Sequence, residues 1–310
     1  MDVFLAGISY RLGEPFNIHS IPELQEKSDI LENFLALGLK NYCVSDCSPG
    51  VLAKECISQT LEKAKLNPDE IDCFIYATNS FWDKNFHSND IRQLLCDHKL
   101  TKAYPIGVFM SYCGNFHSAI SIAHERILAG RAKNVLLVTA DKVSPQDSRI
   151  YPPNITILSD AVASCIITAH EGDFKIKNTY QHTNPYLWLS KPSDDLLGYM
   201  KATLDGIKAA YDGVMKAEGI TAESISKVIT NNYNLSIVRT FTIPARFKPA
   251  QMYTANLARF AHAFASDNLI NLDTCVKAEN IKAGELLLLL GTSPTTWSTT
   301  LLESTQSVQS

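Results

Sequence analysis

Two stretches of this 310-residue sequence follow one plan half a chain apart. The run LEKAKLNPDEIDCFIYATNS, from Leu61, reads as the end of a helix, a turn and a strand, and VMKAEGITAESISKVITNNYN, from Val214, repeats that order. Leu66 and Ile71 fall on Ile220 and Ile225, each 154 positions on, and AKNVLLVTAD from Ala132 falls on AGELLLLLGT from Ala283, 151 positions on. Two units in the same order at nearly one offset imply a duplicated α/β module. Its strand segments, EIDCFIYA, KNVLLVTA, ASCIITA, SKVITNN and GELLLLLG, are mostly apolar runs, as expected of strands covered by helices on both faces. Periodicity places amphipathic helices near 50–66, 118–129, 196–218 and 256–268, and closing strands near 285–291 and 296–302. Loops around 144–155 and 180–195 are the expected carriers of specificity.

A hydrophobic content of 45% suffices for a large core, which excludes a disordered or fibrous chain. The net charge of −4 supplies no basic stripe for a phosphate backbone, so nucleic acid is not an expected partner. No apolar run approaches the roughly 18 residues needed to span a bilayer, and the N-terminus lacks a basic segment before its short apolar run. A cytoplasmic protein without membrane attachment is expected. Eight cysteines lie mostly inside apolar runs, which suits reduced, buried thiols. Cys43 and Cys47 have metal-like spacing, but no second pair follows, so no metal site is expected.

One cysteine stands at a chemically useful junction. In YPIGVFMSYCGNFHSAISIAHERILAG an extended apolar stretch ends at Cys113, Gly114 follows, and Ala119, Ile120, Ala123, Ile127 and Leu128 recur at helical spacing up to Gly130. A thiol at a helix N-terminus meets partial positive charge, which favours the thiolate that attacks a thioester. Position alone also suits a packed core cysteine.

Further segments follow in a fixed order: ILSDAVASCIITA with Ser159, Asp160 and Ala161, NNYNLSIV at 231–238, TANLARFAHA with Asn256, and LLLLLGTSPTTWSTTLLES. With the Cys113 segment they resemble the thiolase superfamily, in particular ketoacyl-acyl carrier protein synthase III, over nearly the whole chain. They resemble, in turn, its Gly-Asp-Gly-Ala strand entry with both glycines replaced, its His-Gln-Ala-Asn-Leu and Gly-Asn-Thr-Ser motifs, and its closing strand pair. The resemblance implies an α/β, duplicated α-β-α-β-α layered fold with two mixed sheets. Residues 1–170 would form the half carrying the Cys nucleophile, and 171–310 the half carrying the Asn residues. It implies Cys113 as nucleophile, Asn256 as the catalytic asparagine, and an oxyanion hole from the amides of Cys113 and Ser293. Aligned through Asn234 and Leu235, Asn231 stands where the family has its catalytic histidine, and Ser236 replaces an arginine. A carboxamide can donate a hydrogen bond but cannot shuttle a proton at neutral pH.

Acyl transfer onto Cys113 is therefore expected to survive better than decarboxylative carbon–carbon bond formation. The leading expectation is an acyltransferase of the ketoacyl synthase III type. It would load an acyl group from acyl-CoA or a phosphopantetheinyl carrier protein and pass it to an acceptor in specialised, polyketide-like or fatty-acid-like metabolism, with no further cofactor. The alternatives are a noncatalytic subunit supporting an active homologue and an ordinary decarboxylative synthase. A homodimer, or a heterodimer with another thiolase-like chain, is implied by the resemblance. His117, one helical turn after Cys113, and His182, Trp188, Arg239 and Arg246 are candidate substrate-binding residues, and Tyr186 and Trp82 candidate tunnel aromatics. His262, on the helix expected near 256–268, is read as structural.

Overall fold

The computed structural model describes residues 1–80, 84–152, 154–190 and 194–305; Trp82 lies outside them. Nine strands form one mixed sheet: β1 (Phe4–Leu12), β2 (Cys73–Ala77), β3 (Tyr104–Val108), β4 (Asn134–Asp141), β5 (Ala161–Thr168), β6 (Phe174–Thr183), β7 (Ile225–Thr230), β8 (Leu286–Thr292) and β9 (Thr296–Ser304). Their order is β7-β8-β9-β6-β1-β5-β4-β2-β3. Strands β1 and β6 are paired at Phe4–Lys175 and Leu5–Phe174. The two expected mixed sheets are thus half-sheets of one continuous order, joined at that short pairing.

Five main helices complete the layers: α1 (Pro49–Ala64), α2 (Lys84–Asp97), α3 (Asn115–Leu128), α4 (Leu196–Glu218) and α5 (Ser266–Ala278). Alternate residues of each strand serve opposite layers. On β8, Leu287 and Leu289 join a central core with Phe116 and Ile120 of α3 and Leu269 and Ile270 of α5. Leu288 and Leu290 face outward onto Ile207 and Tyr211 of α4. On β2, Ile75 points to the central core while Phe74 and Tyr76 meet Ala53 and Ile57 of α1. Both strand faces are covered, which is why these segments carry almost no polar residue.

The repeat is visible in how the helices stop. Helix α1 ends at Lys65 (φ 54°) and α4 at Gly219 (φ 64°), both left-handed and 154 positions apart, each followed by a 3-10 turn, Pro68–Glu70 and Ala222–Ser224. The helix expected near 256–268 is not continuous. A short helix, Leu257–Phe260, breaks at Ala261 (φ 53°), and α5 starts at Ser266. Between them the His262 amide donates to the Ile157 carbonyl (2.9 Å), and the His262 carbonyl accepts from the Ser159 amide (2.7 Å). Periodicity missed the break because the residues on either side are apolar and helix-compatible.

Helix α3 and strand β8 pack tightly beside Cys113, at Gly114 and Gly291. A Cβ at Gly291 would collide with the His117 ring and lie 3.1 Å from Gly114 Cα. Gly291→Ala should therefore lower stability by about 1–3 kcal/mol through overpacking, read from urea unfolding midpoints.

Candidate active site

The nucleophile turn is held from below by one side chain. Asn115 Oδ1 accepts from the Ser111 amide (2.9 Å), and its Nδ2 donates to the Thr78 carbonyl (3.0 Å). Between them Tyr112 adopts a left-handed backbone (φ 48°), and the 3-10 turn Tyr112–Gly114 delivers Cys113 to the N-terminus of α3. Cys113 is 7% exposed and packs with Val143, Leu158 and Phe264.

Its sulfur lies 3.1 Å from Nε2 of His262. The other ring nitrogen, Nδ1, bonds the Asp267 carboxylate. That carboxylate also accepts from the amides of Asn232 (2.7 Å) and Ala263 (2.7 Å). An ionised carboxylate only accepts, so Nδ1 carries a proton and Nε2 faces the thiol. The imidazole is flanked by Tyr233 and Phe264, with ring centroids 5.1 and 5.6 Å away. Burial alone would push the His262 pKa down, but the Cys113 sulfur and the Asp267 carboxylate outweigh it and raise it from 6.5 to about 10. The surroundings thus favour the protonated form of the imidazole. Thiol, imidazole and carboxylate are joined in succession, an arrangement able to activate a thiol for acyl transfer.

The models for 3-Oxoacyl-[acyl-carrier-protein (ACP)] synthase III and for its C-terminal part match residues 109–185 and 215–303, more than half of the chain. The chain belongs to this synthase III family. Among curated proteins it is similar to the beta-ketoacyl-[acyl-carrier-protein] synthase III of Aquifex aeolicus (strain VF5), at 24% identity over 81% of this chain and 82% of that one. Among solved structures it is similar to ChlB3, described as an acyltransferase, with a TM-score of 0.82, 17% identity and 99% of both chains covered. The synthase III structure from Aquifex aeolicus VF5 gives a TM-score of 0.78, with 19% identity over 97% of this chain and 99% of that one. The fold is therefore the thiolase-like one of synthase III, and the family is one of acyl-condensing enzymes.

Within this synthase III frame the residues implied by resemblance take different places. Asn231 is fully buried beside Cys113 but is a strut. Its Oδ1 accepts from the Thr292 amide (3.0 Å), and its Nδ2 donates to the carbonyl of Phe264 (3.0 Å) and, more weakly, of Cys113 (3.5 Å). These partners fix the amide orientation and occupy both of its N–H groups. Asn256 makes no hydrogen bond to Cys113 or His262; its Nδ2 donates to Asn271 Oδ1 (2.8 Å) and Thr274 Oγ1 (2.7 Å). The residue opposite the sulfur is His262, six positions later, and Ala261 before it has the positive φ that a Gly-first motif provides for. The Ser293 amide donates to the Thr296 carbonyl (2.9 Å), closing the β8–β9 turn, rather than facing the sulfur.

His117 is buried with Nδ1 on Thr300 Oγ1 (2.9 Å), and burial pushes its pKa down to about 3, so it stays neutral inside the core. His182 stacks on Trp297 with ring centroids 6.1 Å apart. Trp188 and Tyr186 are exposed, as are Arg239 and Arg246 on the segment after Asn231. Sequence reasoning missed His262 and Asp267. The available signal was a histidine near the end of the segment compared with the Gly-Asn-Thr-Ser motif, with an aspartate five positions on, just beyond that segment.

The raised His262 pKa sets a sign for stability. The protonated imidazole's contribution is complete below about pH 6.5, its ordinary value, and is lost as pH rises through about 10. The stability advantage of the wild type over His262→Gln should be present at pH 6 and vanish above pH 10, measured by urea unfolding at each pH.

Proposed function

We propose that this protein is a thioester-dependent acyltransferase that uses Cys113, His262 and Asp267 and does not condense with malonyl thioesters. The observation that carries this reading is the 3.1 Å approach of His262 Nε2 to the Cys113 sulfur, with Asp267 bound behind the ring. Cys113 sulfur attacks the thioester carbonyl, and His262 gives its proton to the departing pantetheine thiolate. An acceptor hydroxyl or amine then loses its proton to Nε2 while attacking the acyl-cysteine, and Cys113 leaves as thiolate beside the recharged imidazolium. Each proton passes through one residue, so no second histidine is needed.

Condensation asks for more than this. The position that would hold a second imidazole is Asn231, whose N–H groups already serve the Phe264 and Cys113 carbonyls. The complete cysteine–histidine–aspartate line also favours catalysis over a purely supporting role. The acyl donor is acyl-CoA or a phosphopantetheinyl carrier protein, with exposed Arg239 and Arg246 offered to its phosphates or acidic face. Strand β3 ends the sheet with Tyr104 exposed, an open edge that a second thiolase-like chain would cover by strand pairing. No helix among the described residues is long and apolar enough to cross a membrane.

Intact mass after incubation with a panel of acyl-CoA thioesters should show one acyl adduct, absent from Cys113→Ala. His262→Ala should slow its formation by about 10²–10⁴-fold, and malonyl-CoA should release no carbon dioxide with the acylated enzyme. A wild-type chain left unmodified by every thioester would sink the reading.

A further inference from the structure

We propose that the Tyr151 hydroxyl donates a hydrogen bond that, with the Cys113 amide, stabilises the oxyanion formed when Cys113 attacks an acyl carbonyl. The inference rests on the acyl-transfer reading above and names the residue that completes its site. The requirement is chemical. As the sulfur–carbon bond forms, the carbonyl π pair moves onto oxygen, and a buried site must meet that charge with a donor. On collapse the pair returns, the bond to the leaving group breaks, and the donor keeps its proton throughout.

Of the two amides the resemblance offers, that of Cys113 has no backbone acceptor among the described residues and is left for the oxyanion, but the other donors nearby are engaged. The Ser293 amide serves the Thr296 carbonyl, the Thr292 amide serves Asn231 Oδ1, and Asn231 Nδ2 serves two backbone carbonyls. The phenol of Tyr233, whose ring lies tilted beside His262, is tied to Thr292 Oγ1 at 2.8 Å. Tyr151 differs. Among the described residues its hydroxyl makes no hydrogen bond, and its half-buried ring packs against the small cluster of Cys113, Val143, Leu158 and Phe264.

The backbone fixes that ring relative to His262. Tyr151 lies in a two-stranded ribbon, Ile150–Tyr151 with Thr156–Ile157, and the next residue, Leu158, bridges to His262 on the other side. One short strand thus has the base on one flank and Tyr151 on the other. The ribbon is anchored by Thr156 Oγ1 on the Asn232 carbonyl (2.8 Å), by the Asn234 amide on the Ile155 carbonyl (3.0 Å), and by the Arg149–Asp160 ion pair (3.0 Å). Burial raises the Tyr151 pKa, and after burial the largest cause is the Cys113 sulfur, followed by Tyr199 and Tyr112. The phenol therefore keeps its proton at any working pH, as a donor must.

Tyr151→Phe keeps the ring and removes only the donor. Its modification at Cys113 should be timed by intact mass with two probes, p-nitrophenyl acetate, which passes through an oxyanion, and iodoacetamide, which does not. Acetylation should slow about 10- to 100-fold, below the loss for a full oxyanion-hole donor, while alkylation stays within about twofold of wild type. Equal acetylation rates in the two proteins would overturn the proposal, as would a parallel loss with both probes, which would mean that Tyr151 acts on the sulfur itself. Failure of wild type with all acyl-CoA thioesters, alongside a Tyr151-dependent reaction with the activated ester, would instead remove the thioester reading and leave this inference standing.

Discussion

The site depends on one buried carboxylate. Asp267 has no exposed surface, and an ionised carboxylate in such a place is tolerated only when its acceptor positions are filled. They are filled by the amides of Ala263 and Asn232 and by Nδ1 of His262. The amide of Ala263 belongs to the loop that breaks away from helix geometry, and that of Asn232 to the segment following β7. One side chain thereby fixes the ring tautomer, the path of the loop carrying the base, and the join of that loop to the second half-sheet. Removing the carboxylate would leave two buried amides without an acceptor, each lost hydrogen bond to a charged group being worth about 1.5–3 kcal/mol.

Against that anchor the carboxamide of Asn231 acquires a physical meaning. A carboxamide offers an acceptor and two donors on opposite atoms, and here they are shared among Thr292 on β8, the loop at Phe264 and the nucleophile turn at Cys113. An imidazole could not serve an amide donor and two carbonyls in this manner. Position 231 is thereby a tie between three elements, and the imidazole beside the sulfur is at position 262.

Much of the fold was legible because it rests on burial. The continuous aliphatic runs of β2, β4, β5 and β8, and the paired helix ends at Lys65 and Gly219, follow from strands covered on both faces and from duplication. Cys113 was legible because a strand-like stretch gives way to helical spacing there. The loop at 261–265 was not. Its turn is made by Ala261 and Phe264 at positive φ, where residue type gives no warning, and its extended path is imposed by hydrogen bonds to Ile157 and Ser159 from over 100 positions away. The same lack of local signal hid His262, whose role exists only through partners at 113 and 267.

Those unusual backbone angles cluster where the chemistry is. Tyr112, Ala261 and Phe264 all have φ near +50°, and each such residue costs about 1 kcal/mol or more relative to an ordinary conformation. A strained turn persists only where its surroundings over-determine it. Here Asn115 ties the Ser111 end of the turn at Tyr112 to the Thr78 carbonyl, while the His262 backbone is stitched to the segment 157–159, itself locked by Arg149 on the fully buried Asp160. The neutral bonds of the His262 backbone and of Asn231 to the Phe264 carbonyl contribute about 1 kcal/mol each, and the charge-assisted bonds to Asp267 are the stronger kind that secures the loop. The carboxylate that orients the base is thus also what allows the loop bearing it to leave the helix.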